Sequence, residues 1–158
     1  MTPAIELLRS LGIEHRVVQY DHDPDHSSFG EEAVEALGIE PESTFKTLMV
    51  TLDDGRNAIG VVPVPCKLDL KAIAAAAGAK KARMTDPAEA ERRSGYVVGG
   101  ISPFGQKQVV ATFVDEWATA HDRIYSSGGR RGLEVVVGAD AFVDALDATF
   151  APIAAWPS

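Results

Sequence analysis

The sequence predicts an α+β fold built on a mixed, mainly antiparallel, barrel-like sheet flanked by short helices. Three observations predict it. Strand-sized runs rich in Val, Ile, Thr and Phe recur along the chain, several of them joined by hairpin signals. The helical segments between them are short and carry their own cap residues. Strands and helices alternate too irregularly for a doubly wound parallel sheet, and no internal repeat is present.

The elements follow in order. Thr2 caps a helix that opens at Pro3 and runs to about Leu11, with Gly12 past its end. Ile13 to Tyr20 reads as a strand, and Asp21 to His26 as a polar loop. Ser28 and Glu31 have capping-box spacing before a helix that Gly38 ends. Thr44 to Leu52 and Ala58 to Val64 form a hairpin around Asp53-Asp54-Gly55-Arg56. Asp69 caps a helix through Ile73 to Ala77 that stops at Gly78, and Asp86 caps another, before Pro87, that stops at Gly95. A glycine-bearing segment, Gly95 to Gly105, leads to strands at Val109–Val114, Arg123–Ser126 and Leu133–Val137. A last helix spans about Asp140 to Leu146.

The 158 residues, 46% hydrophobic and 24% charged, suit one domain over 1–158 with one core. No apolar leader opens the chain and no run is long and apolar enough for a bilayer span, so a cytoplasmic address and no membrane partner are expected. Cys66 is the single cysteine, which excludes an internal disulfide and a cysteine metal cluster. The net charge of −8 argues against a wholly basic DNA or RNA binder, yet it is unevenly spread. Residues 1–60 hold 4 Lys/Arg and 12 Asp/Glu, whereas residues 61–135 hold 11 and 8. Lys67, Lys71, Lys80, Lys81, Arg83, Arg92 and Arg93 form a stripe suited to phosphates, although on charge alone an ordinary solvated surface reads as well.

Lys46 is the most informative residue. Along its strand it shares a face with Thr44, Leu48, Val50 and Leu52, more apolar than the face holding Phe45, Thr47, Met49 and Thr51. An ammonium there is costly unless paired or set in a cavity. On the pattern alone, the plainer reading is a lysine whose stem packs while its head reaches water. Two glycine turns, Gly99-Gly100-Ile101-Ser102-Pro103 and Ser126-Ser127-Gly128-Gly129-Arg130-Arg131-Gly132, can bring backbone N–H groups close to a ligand oxygen. Neither has the form of a nucleotide-binding loop, and each alone reads as a tight sheet connection. His22, Asp23, Asp25 and His26 crowd one loop without a metal-ligand spacing, so no metal is expected. Cys66 has only Lys67 as a polar neighbour and reads as a packed thiol. Ser126 and Ser127 lack the nucleophile elbow. No nucleophile of the chain's own stands out.

Read together, Tyr20-Asp21-His22-Asp23-Pro24, Phe29-Gly30, Phe45-Lys46-Thr47-Leu48, the Gly95 to Lys107 segment and Ser127-Gly128-Gly129-Arg130-Arg131-Gly132-Leu133 occur in an order and spacing that resembles the YbaK/EbsC family. The likeness runs from Met1 to Phe150 and is nearest to the Cys-tRNA(Pro) deacylases, whose domain also occurs as the editing insertion of bacterial prolyl-tRNA synthetases. The resemblance implies a mixed α+β domain with a pocket for aminoacyl-adenosine and no cofactor. It places the catalytic positions on Lys46 and Tyr20. It places substrate-binding positions on Phe29, Thr47, Gly99, Gly100, Ile101, Ser127, Gly128 and Gly129. An acidic position at which members vary falls on Glu134, which is left out of that set.

The implied activity is trans-editing: removal of Cys from Cys-tRNA(Pro), with Cys-tRNA(Cys) open as a second substrate. In the implied mechanism the substrate's own thiol attacks the ester carbonyl and the tRNA leaves as a cyclic thiolactone forms, so the enzyme needs no nucleophile. Positioning supplies much of the rate, and glycine-turn N–H groups stabilise the oxyanion. Water attack is the other route. Deacylation of Ala or another small amino acid, or a binding module without turnover, are the alternatives. The implied partners are the charged 3′ end of tRNA and a prolyl-tRNA synthetase that supplies tRNA identity, with no DNA.

Overall fold

The computed structural model describes residues 1–26 and 28–158. Among these, five α-helices and ten strands are arranged in three sheets. Helix α1 (Pro3–Ser10) begins where expected: the Thr2 hydroxyl accepts from Ile5 N–H at 3.3 Å and Pro3 fills the first turn. Strand β1 (His15–Gln19) follows, then α2 (Phe29–Leu37), which Gly38 closes in the left-handed conformation. The expected capping box at Ser28 is not formed, since its side chain makes no cap hydrogen bond.

Strands β2 (Phe45–Leu52) and β3 (Asn57–Pro63) form the hairpin, with Gly55 at φ +91° in its turn. Next come β4 (Lys67–Leu68), α3 (Leu70–Ala76) capped by Asp69, β5 (Ala82–Met84) and α4 (Pro87–Ser94). The chain finishes with β6 (Ala111–Asp115), β7 (Arg123–Ser127), β8 (Leu133–Gly138), α5 (Ala139–Leu146), β9 (Thr149–Ala151) and β10 (Ala154–Ala155).

The sheets do not close into a barrel, which corrects the barrel-like expectation. The largest has the order β5-β2-β3-β6-β9, a second is β1-β8-β7, and β10 pairs with β4. Most pairs are antiparallel; β3–β6 and β6–β9 are parallel. Closure fails because β2 cannot pair along the whole of its outer edge. A single bridge joins Thr44 to Tyr125 of β7, and β5 takes over only at Val50 to Leu52.

Strand β3 is buried along its whole length because both faces are covered. Ile59 and Val61 pack in a core with Leu8 of α1, Phe142 of α5 and Val135 of β8. Ala58 and Val62 face a second core with Leu68, Ile73 and Ile153. The buried Asp115 carboxylate fixes the returning chain by accepting from the N–H groups of Ile153 (3.0 Å) and Ala154 (2.8 Å).

Gly60 lies where β4 and α3 pack closely on the sheet: a Cβ there would stand 2.8 Å from Leu68 Cδ1 and 3.0 Å from Ile73 Cδ1. Gly60→Val is therefore expected to lower stability by about 1–3 kcal/mol through overpacking. Denaturant unfolding checks it, as a lower midpoint at unchanged slope.

Candidate functional site: a cleft on the open edge of β2

The gap between the two larger sheets is a cleft of about 370 Å³. Its walls come from both sheets. Phe45 to Met49 of β2 form one wall, with Met84 and Thr85 beside them. Tyr20, Ser127 and Glu134 come from the β1-β8-β7 sheet, and Phe29, Gly99 and Ile101 from loops and α2.

The backbone of β2 supplies part of the site's polarity. Thr44 C=O accepts from Val64 N–H (2.8 Å) and Leu52 N–H donates to Arg56 C=O (2.8 Å). Antiparallel alternation then turns the polar groups of Lys46, Leu48 and Val50 toward β3 and those of Phe45, Thr47 and Met49 toward the opposite edge. Met49 C=O is taken by Thr85 N–H at 3.0 Å. The peptide groups of Thr47 have no strand partner there and face the cleft. The Thr47 hydroxyl is also buried without a hydrogen-bond partner. A threonine on the hidden side of a strand gave no such signal in the sequence, since the open edge is a tertiary feature.

Lys46 is half-buried in the cleft wall, on the same side of β2 as the core residues Val50 and Leu52. Burial holds its ammonium below the ordinary lysine value, against the opposing influence of Cys66 and Glu31. Among the described residues it makes no ion pair. Tyr20 lines the cleft as a neutral phenol, pushed up to about 12 by burial and then by the Glu134 carboxyl. Cys66 is buried behind this wall and does not line the cleft; burial, then the Asp115 charge, pushes its thiol up to about 11.

Of the residues expected at the site, the structure brings Lys46, Tyr20, Phe29, Thr47, Gly99, Ile101 and Ser127 to one cavity. Gly100, Gly128 and Gly129 stand outside the wall, and their N–H groups are already used. Gly100 donates to Val97 C=O (2.8 Å), Gly128 to Leu133 C=O (2.8 Å) and Gly129 to the Ser127 hydroxyl (3.1 Å). These three glycines serve packing: a Cβ on Gly100 would meet the Arg130 backbone at 2.7 Å, and one on Gly129 would meet Thr2 at 2.9 Å. In this structure, then, these three offer no free donor to the cleft. The N–H groups of Gly99 and Ile101, which do line the cleft, have no protein acceptor among the described residues.

Arg131 ties the parts together. It donates from Nε (3.0 Å) and Nη2 (2.7 Å) to Val98 C=O, joining the two glycine turns, and its guanidinium lies 4.4 Å from the Phe29 ring centre. His22 and Glu32 fix the loop before α2: Nδ1 stands 2.7 Å from Oε1, and Asp23 N–H donates to Oε2 at 2.9 Å. Burial works against the Glu32 charge, but these hydrogen bonds outweigh it and leave the carboxyl below its ordinary value.

An α+β enzyme domain with a ligand-sized cleft between two sheets is the class that fold and site define. Residues 23–145 match the aminoacyl-tRNA editing domain. The chain is 32% identical to EbsC of Enterococcus faecalis, provisionally named a Cys-tRNA(Pro)/Cys-tRNA(Cys) deacylase, over 96% of this chain and 92% of that one. It therefore belongs to the aminoacyl-tRNA editing domain family, and its activity is that of an aminoacyl-tRNA deacylase. Two crystal structures share the fold. One, of the hypothetical protein APE2540, has a TM-score of 0.84 at 22% identity and covers 94% of this chain and 98% of its own. The other, provisionally described as a trans-editing enzyme for prolyl-tRNA synthetase, has a TM-score of 0.84 at 21% identity over 97% and 95%. No helix among the described residues is long and apolar enough to cross a membrane.

Sequence reasoning left out Glu134, which the cleft contains. Only 7% of it is exposed, no side-chain partner is found among the described residues, and burial pushes its carboxyl up to about 8 from an ordinary 4.5. Between those values the folded protein holds a proton that the unfolded chain has lost. Stability is thus fully present below pH 4.5 and falls as pH rises toward 8. Glu134→Gln should flatten this part of the profile, as a smaller difference in melting temperature between pH 5 and pH 8, about two ends of that window.

Proposed function

We propose that this deacylase removes cysteine from Cys-tRNA(Pro), with the substrate thiol as nucleophile. The single observation behind the reading is a cleft that presents Lys46 and open backbone donors but, among the described residues, no nucleophile paired with a base. Its serine and threonine hydroxyls have no histidine among the lining residues, and Cys66 is not one of them. A thiol held against its own ester needs only alignment, which intramolecular reactions exploit by up to about 7–11 kcal/mol.

Residue by residue, Lys46 stands at the carbonyl or ribose and stabilises developing negative charge. The N–H groups of Gly99 and Ile101 serve as the oxyanion donors in place of the other glycines. Phe29 and Thr47 position the aminoacyl-adenosine, Ser127 borders it, and Tyr20 acts as a neutral hydrogen-bond donor. The thiol sulfur bonds to the ester carbonyl carbon as the C–O bond to the tRNA breaks; the cysteine is released as a thiolactone, and the proton lost by the thiol ends on the 3′ oxygen of the tRNA. The name of the 32% identical EbsC supports cysteine as the amino acid. The whole chain works as one domain in the cytoplasm, and a prolyl-tRNA synthetase supplies the identity of the tRNA.

Purified protein should deacylate Cys-tRNA(Pro) and leave Ser-tRNA(Pro) bound but intact, with a thiolactone-derived product found by mass spectrometry. Lys46→Ala should lower the rate at least about a hundredfold, the scale of losing one oxyanion donor. Lys46→Arg should recover part of it, and Cys66→Ala should keep most of it. Rapid hydrolysis of Ser-tRNA(Pro) without a cyclic product would reject the thiol route and assign the attack to water.

A further inference from the structure

The cleft carries opposite polarities on its two sides. Lys46 comes from β2 of the five-stranded sheet, and Glu134 from β8 of the three-stranded one. Glu134 is directly opposite Ser127 on β7 and Val18 on β1, so its side chain shares a face with theirs, at the cleft. Tyr20 follows two residues after Val18 and lines the same wall.

Among the described residues, no charged group satisfies Glu134. From the turn before β8, Arg131 is directed at Val98 C=O and Phe29. From β1, Tyr20 is neutral and raised further by the Glu134 carboxyl itself. From α2, Glu32 is committed to His22 and Asp23, and Glu31 influences Lys46. Burial alone accounts for the state of Glu134. A carboxyl kept this way, in a cavity rather than a core, is poised to pair with a cation that arrives from outside.

An aminoacyl ester brings one such cation, its α-ammonium, two bonds from the carbonyl. We propose that Glu134 is the α-ammonium-binding residue of the cleft, and that its carboxyl gives up its proton to solvent as the ammonium enters. The balance is a neutral acid and an ammonium ion giving a carboxylate–ammonium pair and one released proton. This inference rests on the aminoacyl-tRNA reading of the site but not on cysteine as the amino acid. Pairing at the β8 wall sends the ester carbonyl toward Lys46, so the two groups together fix which way round the substrate lies. Like charge keeps the ammonium away from Lys46.

The test uses the wild-type protein and Glu134→Gln with two uncleaved probes, 3′-deoxy-3′-(cysteinylamino)adenosine and its counterpart lacking the α-amino group. Calorimetry at pH 6, in two buffers of different ionisation enthalpy, reads affinity and proton release together. The wild type should prefer the amine-bearing probe at least about tenfold and release about one proton on binding it. Glu134→Gln should bind the two probes within about threefold of each other, with no proton released. A tenfold preference that survives in Glu134→Gln, or a wild type that releases no proton, overturns the assignment; the second readout stands even if the variant does not fold. Equal binding of both probes by the wild type also overturns it while leaving the aminoacyl-adenosine site intact. Binding of neither probe by the wild type overturns the site reading, and this inference with it.

Discussion

Strand β2 cannot satisfy its outer edge along its length, and the site depends on that constraint. Paired with β3 throughout, it meets β7 at Thr44 and β5 only from Val50 onward. The peptide groups of the stretch between are too polar to be left against a packed core. That stretch becomes the wall of a cleft, where peptide groups can wait for a ligand. The placement of Lys46 follows from the same break. A lysine on the core side of a fully covered strand would be stranded, whereas here its head emerges where the covering layer is missing.

Glycine has two distinct uses around this cleft. Gly99, at φ +90°, lies in contact range of Phe29 and Arg131 and leaves its N–H open, so permissive backbone and ligand access coincide in one residue. Gly100, Gly128 and Gly129 instead let two turns and the first helix approach closely, and they spend their donors inside their own turns. The Thr2 hydroxyl donates to Gly128 C=O while accepting from α1, which connects the start of the first helix to the floor under the second turn. Arg131 completes the connection from above.

Most of the elements could be read locally. Left-handed glycines at positions 12, 38, 78 and 95 announced the ends of four helices, and Thr2 and Asp69 cap two of them as expected, whereas the side chains of Ser28 and Asp86 make no cap hydrogen bond; the Asp53 to Arg56 turn announced the hairpin. The short strands β4, β5, β9 and β10 were not visible, because two or three residues carry no period and are made strands by their partners. The same limit applied to the site. Lys46 could be suspected from its strand phase, and the ordered motifs gave the family. Glu134, however, sits in an apolar run that reads as an ordinary buried strand, and only the pairing of β8 with β1 and β7 reveals a cavity beneath it. That Gly99 and Ile101 keep free donors while their glycine neighbours do not is a matter of hydrogen-bond accounting that no motif encodes.

The pairing of β1 with β8 has a consequence for the life of the chain. His15 finds its partner at Val137, so the first strand has none until residues more than a hundred positions later have been made. The β2–β3 hairpin can form early from neighbouring residues, but the opposing wall, with Tyr20, Ser127 and Glu134, is assembled across this long separation. Closing so large a loop is slow compared with local steps. During synthesis the first strand is therefore an unpaired edge awaiting its partner, and the cleft cannot take shape before β8 has been made.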